Sequence, residues 1–237
     1  MKLYAYCLCA DLDAFDKSVS GVSAAAVRVL KMEDISVLVS DCEAVPVTQE
    51  NMLAHAAVVR AVFTRTTPVP FRFGTLATEQ QLYTFITTNK RALANKLAHV
   101  RGCVEMDLKT TWQSSNPSPT KSDAVAGPGT AFLLEKRREL VGDDQALAER
   151  AELSTLLRTE LGSLIKDEKI GLGPSEKTAL AKVYHLVESA RMKEYRARVE
   201  ELRAQRPELQ LEVSGPWPPY SFANIELEFG SQFGVSC

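Results

Sequence analysis

No apolar run in this chain approaches the roughly 18–20 residues that cross a bilayer as a helix, so no membrane span is expected. The opening Met1-Lys2-Leu3-Tyr4-Ala5-Tyr6-Cys7 is too short, and the chain too polar beyond Ala10, to read as a signal peptide. Net charge is scarce as well. Lys and Arg number 28 against 30 Asp and Glu, leaving −2, which argues against a dedicated nucleic-acid binder with its basic face. Cysteine is sparse: Cys7, Cys9, Cys42, Cys103 and Cys237 form an odd set with no C-x-x-C pair. Small buried thiols in a reduced, cytoplasmic protein account for them better than a disulfide framework. Histidine is scarcer still, and His55, His99 and His185 have no ligand spacing to one another, so no metal site is expected. No G-x-S-x-G elbow or H-E-x-x-H helix appears. Gly171-Leu172-Gly173 lacks the further glycines and the Lys-Ser/Thr of a phosphate cradle and reads as a hairpin turn. Carboxylates are plentiful on helices, but none stands beside a histidine or in an apolar setting that would tune it for acid–base work. The sequence therefore names no catalytic residue, no cofactor-binding residue and no cofactor.

What is present is an ordinary globular composition: 237 residues, 45% hydrophobic and 24% charged. That suits one large or two small domains. Lys2–Cys9 reads as a buried strand. Val27–Met32 and Ile35–Ser40 read as two strands joined by a Glu33-Asp34 turn. Thr48 is the expected N-cap of a helix with an apolar stripe of Met52, Ala56, Val59, Val62 and Phe63, ending before Pro68. Val69–Thr75 reads as a short strand. Thr78 caps a second long helix with a stripe of Leu82, Phe85, Ile86, Leu93 and Leu97. In Gly102–Trp112 the residues Val104, Met106, Leu108 and Thr110 alternate with polar ones, as on a half-buried strand.

Gln113–Gly129 is rich in Ser, Pro, Asn and Gly, as in a loop. Helical propensity follows to about Ser163, with a break at Gly142-Asp143-Asp144. Ile165–Ile170 and Ala179–Val187 then read as a hairpin, Met192–Arg206 as a helix and Leu209–Val213 as a strand. From about residue 102 this order is βαββαβ, the ferredoxin-like arrangement. The expected fold is α+β with two packed domains: residues 1–100 as a mixed sheet with two long helices, and residues 101–237 as a ferredoxin-like domain with a C-terminal strap and tail.

That strap is Gly215-Pro216-Trp217-Pro218-Pro219-Tyr220-Ser221-Phe222. Its prolines fix φ and remove backbone donors, so an interior strand or helix is excluded. Its rings can each bury about 150–250 Å², so a stiff extended segment lying on an apolar surface is expected. Trp217 and Tyr220 would then fill a groove between domains, with direct partner contact as the alternative. Arg72, between Phe71 and Phe73, is either an anion clamp or a structural arginine paired to a carboxylate. His55 reads as a satisfied, half-buried imidazole. Lys136, Arg137 and Arg138, flanked by Glu135 and Glu139, form either a solvated helix face or a partner-docking one.

Three stretches carry a resemblance. They are Thr67-Pro68-Val69-Pro70-Phe71-Arg72-Phe73-Gly74-Thr75, then Gly129-Thr130-Ala131-Phe132-Leu133-Leu134-Glu135-Lys136-Arg137-Arg138, and the strap octapeptide. Together they resemble the gas vesicle protein GvpL/GvpF family, in order from the Leu3–Tyr6 strand to Phe222. The 114–128 loop and the tail beyond Phe222 depart from it. The resemblance implies an accessory or minor structural protein of gas vesicle assembly in the cytoplasm of a buoyant prokaryote. It implies contact with the small hydrophobic shell protein GvpA and other vesicle proteins, and neither catalysis nor a cofactor. A scaffold bridging several vesicle proteins, or a small-anion-binding or enzymatic domain using Arg72, are the other readings.

Overall fold

The computed structural model describes residues 2–112, 144–171 and 181–223. Lys136, Arg137 and Arg138, the 114–128 loop, the start of the expected 130–163 helix, most of the 171–174 turn and the tail lie outside them. Among the described residues, those up to Glu105 and from Gly215 onward form one compact unit, and those from Met106 to Ser214 form another. The strap, grouped with the C-terminal domain on sequence grounds, thus falls in the first unit.

The first unit carries a five-stranded sheet. Strand β1 (Leu3–Ala10) pairs antiparallel with β3 (Ile35–Asp41) on one side and with the two-residue strands β4 (Val69–Pro70) and β5 (Leu76–Ala77) on the other. Strand β2 (Arg28–Met32) pairs with β3 and forms the edge. Every residue from Leu3 to Cys9 is buried, as its unbroken apolar pattern requires of a strand covered on both faces.

Helix α1 (Gln49–Phe63) starts where expected: Thr48 Oγ1 accepts the Asn51 N–H at 3.2 Å. Its buried face overlaps the expected stripe only at Val59 and Val62. Asn51, His55, Val58, Val59 and Val62 point inward, while Met52 and Ala56 are exposed. The helix is rotated because its two inward polar side chains are satisfied. Asn51 accepts from Ser23 N at 2.7 Å and donates to Pro46 O at 3.0 Å, and His55 meets Tyr4.

The expected second long helix is two, α2 (Glu79–Thr88) and α3 (Lys90–Val100). Thr78 and Gln81 close a capping box at the start of α2. The break falls at Asn89, whose side-chain amide donates to Phe85 O at 2.9 Å, the local bonding by which Asn competes with helix continuation. The expected strand 69–75 is also shorter. After Pro70 the chain turns, with Thr75 N and Thr75 Oγ1 both donating to Arg72 O, and Gly74 adopts φ +87°, which favours glycine.

The second sheet has the order β7-β8-β6-β9. The elements β6 (Cys103–Trp112), α4 (Asp144–Leu161), β7 (Ile165–Gly171), β8 (Ala181–Glu188), α5 (Met192–Gln205) and β9 (Leu209–Trp217) follow in sequence. On β6, Val104, Met106, Leu108 and Thr110 are buried as the alternation predicts, but Glu105 is buried too. In α4, Leu153, Leu157 and Leu161 recur at helical spacing and are buried, as are Tyr195, Val199 and Leu202 in α5. A buried leucine contributes about 1.5–3 kcal/mol. The exposed ion pairs Arg191–Glu194 and Arg203–Glu200 on α5 are worth under about 1 kcal/mol each, so apolar burial decides the packing of this unit.

β9 runs further than the expected 209–213, taking in Gly215-Pro216-Trp217. Proline is tolerated there because β9 is an edge strand. The Gly215–Pro216 peptide is cis.

Candidate functional site

The first unit contains a connected set of buried polar groups beneath a surface pocket. Tyr4 OH and His55 Nδ1 lie 2.9 Å apart, and Tyr4 OH also accepts the Gly74 N–H at 3.2 Å. The hydroxyl therefore spends its proton on Nδ1, and the neutral imidazole carries its hydrogen on Nε2. Burial supports that neutral form by holding the His55 pKa down at about 4. Burial likewise pushes the Tyr4 and Tyr6 hydroxyls up. Tyr6 OH lies 2.9 Å from Ser40 Oγ and accepts the Val22 N–H at 2.9 Å. Gly21 is needed beside it, because a Cβ there would fall 2.0 Å from the Tyr6 hydroxyl. The rings of Tyr4, Tyr6, His55 and Phe73 meet with centroids 4.8–6.1 Å apart, mostly edge to face.

Above this cluster a pocket of about 350 Å³ is lined by Met52, His55, Ala56, Pro70, Phe71, Arg72, Phe73 and Tyr220. α1 supplies the first three, the end of β4 and the turn after it the next four, and the strap the last. Arg72 is exposed, Phe71 buried and Phe73 half-buried. The turn that Thr75 closes on Arg72 O brings Phe71, Arg72 and Phe73 to one pocket.

The strap is oriented differently from expectation. Trp217 and Tyr220, expected to be its buried rings, are 38% and 40% exposed, whereas Pro218, Pro219 and Phe222 are buried. The cause is a turn after the prolines: Tyr220 N donates to Pro218 O and Phe222 N to Pro219 O. Ser221 is gripped by the buried Glu105 carboxylate, which accepts both its N–H and its hydroxyl at 2.7 Å. That double bond explains why a glutamate lies buried in β6.

Two thiols, Cys7 and Cys9, are free and buried, and burial raises the pKa of both, that of Cys9 to about 12. They are packing groups. In the second unit His185 Nδ1 lies 2.7 Å from Tyr195 OH and its Nε2 lies 3.2 Å from Glu168 Oε2. Arg158 Nε donates to the other Glu168 oxygen at 2.8 Å. The sequence reading missed this carboxylate–histidine pair, because Glu168 and His185 meet only through the β7–β8 register, in which they are direct partners.

The pattern of Gas vesicle synthesis protein GvpL/GvpF matches residues 2–224, nearly the whole chain. The chain belongs to the GvpL/GvpF family. Among its relatives, gas vesicle protein L of Haloferax mediterranei is 25% identical over 240 residues, covering 88% of this chain and 74% of that one. Gas vesicle protein F2 of Halobacterium salinarum is 26% identical over 233 residues, covering 95% and 93%. The crystal structure of GvpF from Anabaena superposes with a TM-score of 0.73 at 18% identity, covering 95% of this chain and 97% of that one. GvpF from Microcystis aeruginosa gives 0.73 at 19% identity, covering 94% and 99%. The mixed α+β fold, with two sheets and five α-helices among the described residues, is that of these GvpF structures. A gas vesicle role follows from the family, and with it involvement with other gas vesicle components. Among the described residues no helix is long and apolar enough to cross a membrane.

Proposed function

We propose that this GvpL/GvpF member is a gas vesicle assembly protein, accessory or minor structural, that binds the hydrophobic shell protein GvpA and other vesicle proteins without catalysing a reaction. It works in the cytoplasm, associated with gas vesicles. Its first domain holds the five-stranded sheet, with a boundary near residue 100, and its second is ferredoxin-like, its βαββαβ order and β7-β8-β6-β9 sheet supporting that reading.

The observation that carries the proposal is the outer side of α1. Val47, Met52 and Leu53 are 80%, 46% and 61% exposed. Exposed apolar side chains grouped at one helix start suit a hydrophobic client, and Met adapts to an irregular one. The basic run Lys136, Arg137 and Arg138 is a second proposed docking patch. The test is capture of purified shell protein by the immobilised chain at micromolar concentration. Met52→Glu with Leu53→Glu should cut capture at least about tenfold, the effect of desolvating a charge in an apolar contact. Lys136→Glu, Arg137→Glu and Arg138→Glu together should weaken it further. No capture by the unaltered chain would refute the proposal.

A further inference from the structure

The pocket of about 350 Å³ beside α1 has apolar walls and a neutral hydrogen-bond donor at its base. Met52, Ala56, Pro70, Phe71, Phe73 and the ring of Tyr220 make the walls, and Arg72, which has bonding of its own, completes the lining. The donor is His55, only 6% exposed. Tyr4 OH accepts the Gly74 N–H and gives its own proton to Nδ1, so the ring hydrogen sits on Nε2. Burial keeps the ring neutral by holding its pKa down at about 4. Among the described residues none pairs with Nε2, and the one enclosed side-chain polar atom lacking a partner is Asp107 Oδ1, so Nε2 is not sealed in but opens to the pocket. A nearly buried N–H therefore faces an apolar cavity without an acceptor from the described residues. Met52 belongs both to this cavity and to the exposed apolar group with Val47 and Leu53.

We infer that this pocket takes one apolar side chain of a docked polypeptide together with the backbone carbonyl beside it, the carbonyl oxygen accepting from His55 Nε2. The source of that polypeptide rests on the docking role proposed above, because Met52 joins the cavity to the exposed patch of α1. The volume is at the lower end of the roughly 300–1,000 Å³ found for ligand sites, which limits the occupant to a single side chain such as leucine or phenylalanine. An acceptor is needed as well as an apolar group. A purely apolar occupant would strip water from Nε2–H and leave it unpaired, which weakens binding by about tenfold. Every residue of a polypeptide carries such an acceptor next to its side chain. The neutral imidazole asks for no charge on the occupant, as suits a hydrophobic client, and the Met52 side chain can adapt to its shape.

NMR titration of the full chain with N-acetyl-L-leucine methylamide, which carries one apolar side chain and its carbonyl, tests the site. The amide should bind with a Kd in the millimolar range, about the limit for a ligand of its size, and should move the nitrogen chemical shift of His55 Nε2. Ala56→Trp fills the pocket from an exposed position on α1 and should weaken the amide at least about tenfold, with thermal melts showing the variant folded. The same variant, with Met52 and Leu53 unaltered, should cut capture of shell protein at least about fivefold. No binding at about 20 mM amide, binding that leaves Nε2 unmoved, or binding undiminished in Ala56→Trp would overturn the inference. Full capture of shell protein by Ala56→Trp would also overturn it while leaving the docking role in place. Absence of capture by the unaltered chain would instead refute the docking role, and the amide titration alone would then decide the site.

Discussion

Acidification should unlock the first unit through one histidine. His55 is 6% exposed, and burial holds its pKa at about 4, against an ordinary value of 6.5. The unfolded chain therefore binds a proton at His55 that the folded chain refuses throughout that interval. Its contribution to stability is complete above pH 6.5 and is lost as pH falls toward 4. At about 1.4 kcal/mol per pH unit, that interval corresponds to about 3 kcal/mol. Between pH 6.5 and 5 the carboxylates stay ionised, so the slope in that range belongs to histidine. NMR titration of the His55 ring gives the folded pKa, and amide exchange of β1 and α1 at stepped pH gives the stability. His55→Gln keeps an acceptor for Tyr4 OH but cannot titrate, so its β1 protection should stay flat over the range in which the wild type loses about 2 kcal/mol. A His55 resonance that titrates near 6.5, or equal pH slopes in wild type and variant, would refute the reasoning.

Other consequences follow from the same geometry. Glu105→Ala removes two charge-assisted bonds to Ser221, so it should cost about 3 kcal/mol and raise amide exchange across Pro219–Ala223, as read by mass spectrometry. Trp217→Ala, at 38% exposure, should cost under about 1.5 kcal/mol in urea denaturation, against the 3–5 expected of a core tryptophan. Glu168 has its pKa lowered, first by the hydrogen bond from His185 and also by Arg158. It therefore stabilises the fold above the usual Glu value, and that stability is lost as pH falls below it. Glu168→Gln should flatten the acid limb of the β7–β8 exchange profile.

Much of the fold could be read from local chemistry. The caps at Thr48 and Thr78, the hairpin at Glu33-Asp34, the alternation in β6 and the βαββαβ element order each depend on residues within a few positions of one another. Apart from the helix break at Asn89, which is local, the failures share a cause: a distant partner overrides the local pattern. α1 turns Asn51 and His55 inward because Pro46, Ser23 and Tyr4 satisfy them, and it turns Met52 outward as a result. Asn89 breaks a helix that the apolar stripe alone would continue. The strap presents Trp217 and Tyr220 to the surface because Glu105, over a hundred residues earlier, holds Ser221. The pocket was out of reach for the same reason: α1, the Arg72 turn and Tyr220 are brought together only by folding. Arg72 stood out in the sequence as a charge between two phenylalanines, which was a usable signal. His55 was legible as a satisfied imidazole, but not the β1 hydroxyl that satisfies it.

Under the proposed function this protein shields a hydrophobic vesicle subunit by surface contact. Light scattering of shell protein diluted from denaturant into buffer, with and without equimolar chain, measures it most directly. The unaltered chain should suppress scattering, and Met52→Glu with Leu53→Glu should restore most of it. Suppression no better than that of an inert protein, or undiminished in the double variant, would rule out shielding through the α1 patch.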